Sequence, residues 1–188
     1  IDREELVRSE KSAEVFKSVN SKLKDIHGGE VKILPGLYIL GEPVPLLSNV
    51  KYSGSGKATT LKQGKNNTQD AVLIARNKEN ITISDLLLQG IDENNDFSGI
   101  LFKGVGCSTI DRVYARNFTG YGIRIEENCF SVNIHNCVTS GNQSAGIIIG
   151  HTEKGRGGRF APNNINNCIS YADEGHGFEF DRAICQNI

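Results

Sequence analysis

The fold is decided by the stretch from Ile134 to Ile149, which reads IHNCVTSGNQSAGIII. It begins with a template of the form Ile-x-x-apolar, and twelve residues after the Ile comes a Gly followed by an apolar-x-apolar triplet. The template also starts at Ile83, Ile110 and Ile165, and a similar Gly-led triplet follows each copy. Self-similarity of this kind is typical of a solenoid, in which each repeat is one structural unit.

Each copy reads as a short strand, a turn and another short strand, and it cannot bury its apolar side alone. Stacked copies bury it, because equivalent residues form columns about 4.8 Å apart, the spacing of paired strands. Alternation along the strands then places six side chains inside, namely Ile123, Ile125, Ile147, Ile149, Phe178 and Phe180. The repeat predicts an all-β fold, a parallel β-helix wound as a single-stranded solenoid.

The N-terminal region predicts an α-helix over residues 9–26 that caps the solenoid. Its apolar face comprises Val15, Phe16, Val19, Leu23 and Ile26. Gly28-Gly29 ends the helix. We therefore expect residues 1–30 to form the capping segment and residues 31–188 to form the β-helix.

The C-terminal end stops inside a new copy of the repeat, at residues 183–188. We expect the β-helix to continue in a parent protein or to be truncated there. The open edge would then pair with further rungs of the parent chain or with partner chains, for example in a homotrimer. The absence of Met and the start at Ile1 also predict a processed or excised fragment.

The composition argues against two kinds of partner, nucleic acid and membrane. Lys plus Arg number 21 and Asp plus Glu number 22, so the charge balance predicts no nucleic-acid partner. No apolar run approaches the roughly 18 residues of a membrane helix, so no membrane partner is expected. Five Cys occur without a CxxC pair, which predicts buried free thiols, no metal site and no cofactor.

The opening of the chain resembles the pectate-lyase-like right-handed parallel β-helix superfamily. The resemblance lies in the capping helix, in GGEVKILPGLY at residues 28–38 and in VKYSGSG at residues 50–56. Members of that superfamily include polysaccharide lyases, glycoside hydrolases, sugar epimerases and bacteriophage tail spikes. The resemblance implies a right-handed β-helix with an N-terminal capping helix, a polysaccharide partner, and a location that is extracellular or on a virion surface.

Residues 108–181 are similar, more narrowly, to the alginate mannuronan C5-epimerases. The similarity lies in Gly120-Tyr121-Gly122 and in Gly175-His176-Gly177-Phe178. In that family a Gly-Tyr-Gly-Phe motif precedes Asp-Pro-His-Glu, whose Asp and His are catalytic. The similarity implies that a ligand groove runs beside these repeats.

The catalytic positions of that family carry other residues in this chain. Arg124 stands at the Asp position, Glu126 at the His position, and Gly150 aligns with a further Asp one copy on. Tyr121 and Glu127 are retained. Epimerisation needs a suitable base near the sugar carboxylate, so we expect any activity to be glycoside hydrolysis rather than epimerisation.

Outward residues of the triplet strands are predicted to form two columns. One contains Leu101, Arg124, Ile148 and Glu179, and the other contains Lys103, Glu126, Gly150 and Asp181. Two rungs separate Glu126 from Asp181, about 9.6 Å. That is near the upper limit for the carboxylates of an inverting glycosidase, roughly 6.5–9.5 Å. The predicted catalytic residues are therefore Glu126, Asp181 and Glu179, with Tyr121 as proton donor; the alternative is ordinary solvated surface charge.

The predicted substrate-binding residues are cations and histidines beside that face, namely Arg124, His151, Lys154, Arg156, Arg159 and His176. Four of them belong to a Gly-rich loop over residues 151–159, whose positive charge suits the carboxylates or sulfates of an acidic glycan. The alternative is an ordinary solvated loop. His176 lies beside Asp173 and Glu174, which suits a tuned proton donor, although a plain surface turn is the competing interpretation.

Two functions remain open from the sequence. The first is binding, with or without cleavage, of an extended and acidic polysaccharide along the groove; as an enzyme the chain would be a glycoside hydrolase or lyase. The second is a non-enzymatic structural or receptor-binding module of a bacteriophage tail spike or appendage.

Overall fold

The structure, a computed structural model, describes residues 12–25, 27–67, 69–91, 96–150, 162–181 and 185–186. Within these ranges the helix α1 spans Ser12–Asp25. The strands are β1 (Gly29–Lys32), β2 (Gly36–Leu40), β3 (Val44–Pro45), β4 (Val50–Gln63), β5 (Ala71–Arg76), β6 (Thr82–Gln89), β7 (Ser98–Lys103), β8 (Thr109–Arg116), β9 (Ile123–Glu126), β10 (Asn133–His135), β11 (Val138–Ser140), β12 (Ile147–Gly150), β13 (Asn163–Asn166), β14 (Ile169–Tyr171), β15 (Phe178–Asp181) and β16 (Cys185–Gln186).

The strands form two sheets, and every pairing between described strands is parallel. A six-stranded sheet has the order β15-β12-β9-β7-β5-β3. A ten-stranded sheet has the order β1-β4-β6-β8-β10-β13-β16, with β2, β11 and β14 pairing alongside this path. The chain alternates between the two sheets as it advances by one rung at a time. The predicted β-helix is confirmed.

The register reproduces the repeat found in the sequence. Ile83, Ile110, Ile134 and Ile165 pair in succession on neighbouring strands, and all four are buried. In the other sheet, Ile123 pairs with Ile147, which pairs with Phe178. Apolar residues at equivalent positions therefore form continuous columns through the core, because each rung covers the apolar side of its neighbour.

A sharp corner divides each rung of the ten-stranded sheet into a first and a second half. The corner is the third residue of the repeated template, and its backbone is left-handed in all four copies, with φ of 57° at Asp85, 51° at Arg112, 53° at Asn136 and 52° at Asn167. Asn and Asp adopt this conformation more readily than other residues with a side chain. At this corner the chain changes direction, so the strand segments before and after it point different ways within one rung.

The helix α1 packs against β2 and β3 and covers one end of the core. Its buried residues are Ala13, Phe16, Asn20 and Leu23. The prediction that Val15 belongs to this face is wrong, since its side chain is 46% exposed. A helix turns by 3.6 residues, so a face centred on Phe16 and Leu23 leaves Val15 outside. Residues 9–11 and Ile26 of the predicted helix lie outside the described residues.

The last described rung differs from the sequence prediction at Phe180. Ile123, Ile125, Ile147 and Ile149 are buried as predicted, and Phe178 packs partly against the core. Phe180, however, is 37% exposed. It lies on β15, which within the described part of the chain pairs with β12 on one side alone. In the ten-stranded sheet, β16 pairs with β13 and begins a further rung.

Among the described helices, none combines the length and the apolar character that a membrane span requires.

Candidate functional site

The candidate site lies on the outward face of the six-stranded sheet, where the two predicted columns are found. Arg124 pairs in register with Leu101 on one side and with Ile148 on the other, and Ile148 pairs with Glu179. In the second column Lys103 pairs with Glu126, and Gly150 pairs with Asp181. Leu101 and Ile148 are nevertheless buried. The polar part of the face is therefore interrupted by apolar rungs.

Glu126 occupies its predicted outward position beside Lys103 but is buried, with 1% of its surface exposed, so it is not the ordinary solvated surface charge of the competing interpretation. Its Oε2 lies 3.2 Å from Lys103 Nζ, and its Oε1 accepts a hydrogen bond from Arg124 Nε. A buried carboxylate is tolerated when cations of this kind surround it. The two cations also cover it from solvent, so Glu126 acts here as the anchor of the charged residues around it.

Arg124 links three other side chains of the site. Its Nη1 donates to Asp96 Oδ2 at 3.0 Å, and its guanidinium carbon lies 5.1 Å from the centre of the Tyr121 ring. Burial lowers the pKa of Arg124, but the hydrogen bond and charge of Glu126 outweigh this, and the pKa is raised. The guanidinium is thus held as a fixed positive charge over the aromatic ring.

Lys103 extends the ion-pair network to the next loop. Its Nζ lies 3.1 Å from Glu127 Oε1, in addition to the contact with Glu126. Burial acts to lower the pKa of Lys103, and the hydrogen bonds and charges of Glu127 and Glu126 raise it overall. Lys103 and Arg124 are therefore both engaged by carboxylates.

Tyr121 is half-buried on this face, with its ring beside the Arg124 guanidinium. The pKa of its phenol is raised, first by burial and next by the negative charge of Glu179. The phenol accordingly keeps its proton at neutral pH and is able to donate it. Glu179 is half-buried, and Asp181 is exposed two residues further along the same strand.

His176 is exposed in the turn between β14 and β15. The carboxylate of the nearby Asp173 accepts hydrogen bonds from Asn142 Nδ2 at 2.8 Å and from the Ser170 hydroxyl. The Asp173 carboxylate is therefore engaged by Asn142 and Ser170. The other predicted substrate-binding residues, His151, Lys154, Arg156 and Arg159, lie outside the described residues.

Sequence reasoning assigned no role to three members of this network, Asp96, Lys103 and Glu127. Lys103 and Glu126 carry opposite charges at equivalent positions of adjacent copies, and such cross-strand pairs are a readable signal. Asp96 gave no such signal, because it reaches Arg124 from the irregular loop before β7. Within the described ranges, no group of three or more His, Cys, Asp or Glu side chains is arranged to hold a metal ion.

The fold and this face define a parallel β-helix with an α-helix packed at its N-terminal end. No protein-family profile matches the chain, and no curated protein matches it in sequence. Solved structures do match. One is the mannuronan C-5 epimerase AlgE6 A-module of Azotobacter vinelandii, with a TM-score of 0.74, 18% identity, and coverage of 93% of this chain and 52% of that one.

Two further structures are similar. The AlgE4 A-module of the same organism, also a mannuronan C-5 epimerase, has a TM-score of 0.74 and 22% identity, covering 88% of this chain and 48% of that one. ORF18 of Geobacillus virus E2 has a TM-score of 0.67 and 20% identity, covering 85% of this chain and 32% of that one. The chain thus spans about half the length of the epimerase modules. At these identities the likeness concerns the fold.

Proposed function

We propose that this chain binds an extended polysaccharide along the outward face of the six-stranded sheet, with Tyr121 and Arg124 as its central contacts. The observation that carries the proposal is the placement of the Tyr121 ring against the Arg124 guanidinium, with the Glu179 carboxylate near the phenol. A sugar offers both apolar C–H surface and hydroxyl groups. A half-buried tyrosine beside fixed charges matches both, through its ring and through charge-assisted hydrogen bonds.

The repetition of rungs supports an extended ligand. Arg124, Ile148 and Glu179 follow one another on neighbouring strands, about 4.8 Å apart. A polymer lying along the stack meets these positions in turn, whereas a small molecule would touch one rung or two. The likeness to two modules that act on mannuronan is consistent with a polysaccharide ligand.

If the chain also performs chemistry, hydrolysis suits the residues better than epimerisation does. Glu126 would have to leave two cations before it could act as a base. Glu179 and Asp181 alternate on one strand, which sets them about 7 Å apart on the same side. That spacing falls in the range of roughly 6.5–9.5 Å used by inverting glycosidases. One of the two carboxyl groups would protonate the leaving oxygen and the other would take a proton from the attacking water. Tyr121 would donate a hydrogen bond to the sugar, and His176 with the loop residues His151, Lys154, Arg156 and Arg159 would hold charges of the ligand.

Binding is tested by a polysaccharide array followed by affinity electrophoresis on the glycans that score. Tyr121→Ala and Arg124→Gln should each weaken binding at least several-fold. Arg112→Gln is the matched control, because Arg112 is also paired with a carboxylate, that of Asp85, but lies at the corner of the other sheet. Equal affinity in all four proteins, or binding to no glycan, would contradict the proposal.

Chemistry is tested separately by following chain length and C5 configuration of each bound polysaccharide by NMR. Cleavage that disappears in Glu179→Gln with Asp181→Asn supports hydrolysis. Inversion at C5 without cleavage would overturn the preference for hydrolysis and leave the binding proposal intact.

A second candidate function is a structural or receptor-binding module of a bacteriophage appendage, which would place the chain on a virion surface. The likeness to ORF18 of Geobacillus virus E2 over 85% of this chain favours it. Sedimentation velocity distinguishes the two candidates. A trimer without oligosaccharide release supports the appendage, whereas a monomer that releases oligosaccharides supports an extracellular enzyme.

A further inference from the structure

A second outward surface of the solenoid carries a different set of residues, and we call it the Tyr171 face. It is the outer side of the second half of the ten-stranded sheet, following the corner. Register partners on β2, β4, β6, β8, β11 and β14 form two columns there. The first contains Leu37, Thr60, Leu87, Tyr114, Val138 and Ile169, and the second contains Ile39, Lys62, Gln89, Arg116, Ser140 and Tyr171.

Aromatic and hydroxyl groups are joined on this face across three rungs. The Tyr114 hydroxyl lies 2.5 Å from the Tyr171 hydroxyl and 2.9 Å from Ser140 Oγ. Tyr171 is 52% exposed, and Ile169, beside it on the same strand, is 57% exposed. These hydrogen bonds hold the two rings in place, so an incoming ligand would find a prepared surface of apolar rings edged with hydroxyl groups.

The charge on the Tyr171 face is entirely positive. Neither of its two columns contains an Asp or a Glu. Lys62 and Arg116 belong to the second column, and Lys57 places its Nζ 4.4 Å from the centre of the Tyr114 ring. In the described part of the chain, no carboxylate lies within 4 Å of any of these three cations.

The Arg116 guanidinium has a donor group without an acceptor among the described residues. One of its terminal nitrogens donates to Gln89 Oε1 at 3.3 Å, whereas its Nε is buried with no acceptor among the described residues. On the six-stranded sheet the situation is the reverse, since Lys103 and Arg124 are both paired with carboxylates. Of the two surfaces compared within the described residues, it is thus the Tyr171 face whose cations are available to an anion. A guanidinium pairs well with a planar carboxylate or a sulfate, because it donates two parallel hydrogen bonds.

We infer that the Tyr171 face is a second glycan-binding site, selective for an acidic polysaccharide with carboxylate or sulfate groups. Lys62 and Arg116 lie two rungs apart, about 9.6 Å, so a chain along the stack would place anionic groups at both. Tyr171, two rungs beyond Arg116 in the same column, would support a sugar ring further along the polymer. Single-stranded nucleic acid also combines anions with stacking rings, but the net charge of −1 opposes a phosphate polymer. The site stands independently of the one proposed around Tyr121.

The experiment uses the whole protein chain and two forms of one polysaccharide, polygalacturonate and its fully methyl-esterified derivative. The two forms differ in whether the sugar carboxylates carry a charge. Affinity is measured by isothermal titration calorimetry. The wild type should bind the acid form and not the ester, more weakly as salt rises. Lys62→Gln with Arg116→Gln should reduce affinity about tenfold or more, since both charge-assisted hydrogen bonds to the ligand's anionic groups are lost. Tyr171→Ala should reduce it several-fold.

Three controls distinguish binding at the Tyr171 face from binding elsewhere on the molecule. Lys22→Gln with Lys24→Gln removes two positive charges from the exposed side of the capping helix and should leave binding unchanged. Tyr121→Ala with Arg124→Gln removes the contacts of the first face; in that background polygalacturonate should still bind, and adding Lys62→Gln with Arg116→Gln should abolish the binding. Loss of polygalacturonate binding in the Tyr121 and Arg124 variant, with none in the Lys62 and Arg116 variant, would move the acidic ligand to the first face and overturn the inference. Binding of oligothymidylate in preference to polygalacturonate, or unaltered affinity in every variant, would overturn it as well. Thermal unfolding of each variant checks that it remains folded.

Discussion

Glu126 and Lys103 are register partners on adjacent parallel strands, and Lys103 Nζ lies 3.2 Å from Glu126 Oε2. The carboxylate is almost entirely buried and is also held by Arg124. It therefore organises two cations that would otherwise repel each other. The face around Tyr121 owes its geometry to this buried charge.

Replacing Glu126 by Gln should destabilise the protein, because it leaves Lys103 and Arg124 close together without their shared anion. Breaking a fully buried ion pair costs about 3–5 kcal/mol, and since both cations retain some solvent contact we expect about 2 kcal/mol. Urea unfolding measures the change. Glu174→Gln, at an exposed carboxylate in a turn, is the control and should stay within about 0.5 kcal/mol of wild type. Equal stabilities would contradict the anchoring role.

Tyr52 joins the capping helix to the solenoid, and Tyr52→Phe should weaken that junction. Its buried hydroxyl donates to Asn20 Oδ1 at 3.0 Å and accepts from the Leu47 amide at 3.1 Å. Asn20 Nδ2 in turn donates to the Pro45 carbonyl at 2.6 Å. Removing the hydroxyl leaves buried partners unsatisfied, which should cost about 1–3 kcal/mol in the free energy of unfolding at neutral pH.

The same tyrosine predicts a pH dependence. Burial raises the pKa of Tyr52 from 10.0 to about 12. Its neutral form is favoured in the folded state, so the associated stability is fully present below pH 10 and is lost as pH rises from there through about 12. The stability advantage of wild type over Tyr52→Phe should therefore shrink across that window. A constant difference over the alkaline range would show that the hydroxyl is not protected as described.

Ile147→Asp should unfold the domain. Ile147 is fully buried between Ile123 and Phe178, so the substitution places a charge with no partner inside the core column. Ile169→Asp is the matched control at a largely exposed position of the other sheet. Circular dichroism and thermal unfolding should show loss of structure in the first variant and a folded protein in the second. A folded Ile147→Asp protein would contradict the packing of this column.

Cys168 should react with iodoacetamide at lower pH than Cys129. The hydrogen bond from the Cys137 side chain lowers the pKa of Cys168 to about 7, whereas burial raises that of Cys129 to about 11. Because the thiolate is the nucleophile, labelling of Cys168 should be half-maximal near pH 7. Peptide mass spectrometry measures the labelling rates of Cys168 and Cys129 at each pH. Cys137→Ala removes the donor and should move the profile to higher pH; an unchanged profile would exclude this hydrogen bond as the cause.

Much of the architecture was predictable from the repeat. The Ile-x-x-apolar template and the Gly-led triplets identify which side chains face inwards, and the register agrees at Ile110, Ile134 and Ile147. The errors fall where periodicity carries little information. Val15 was assigned to the buried face of a helix whose apolar residues are few, and Phe180 lies on the last described rung of its sheet, where its column is covered on one side.

The candidate site was predictable as a location and less so in its interactions. The columns containing Arg124, Glu126 and Asp181 follow from alternation along the strands. Whether an outward carboxylate meets solvent or a cation depends on the lengths and rotamers of neighbouring side chains, which strand periodicity does not encode. The burial of Glu126 and the reach of Asp96 to Arg124 are of this kind.

The sequence by itself determined the stacking of the chain, because only parallel, in-register rungs bury its repeated apolar residues. It also determined which positions point outwards, since side chains alternate across a strand. The tertiary structure decided how the outward charges are distributed between two surfaces. Residues far apart in the chain, such as Lys57, Tyr114 and Tyr171, become neighbours only when successive rungs stack. Charge pairing acts through space over a few ångströms, and those distances are created by folding.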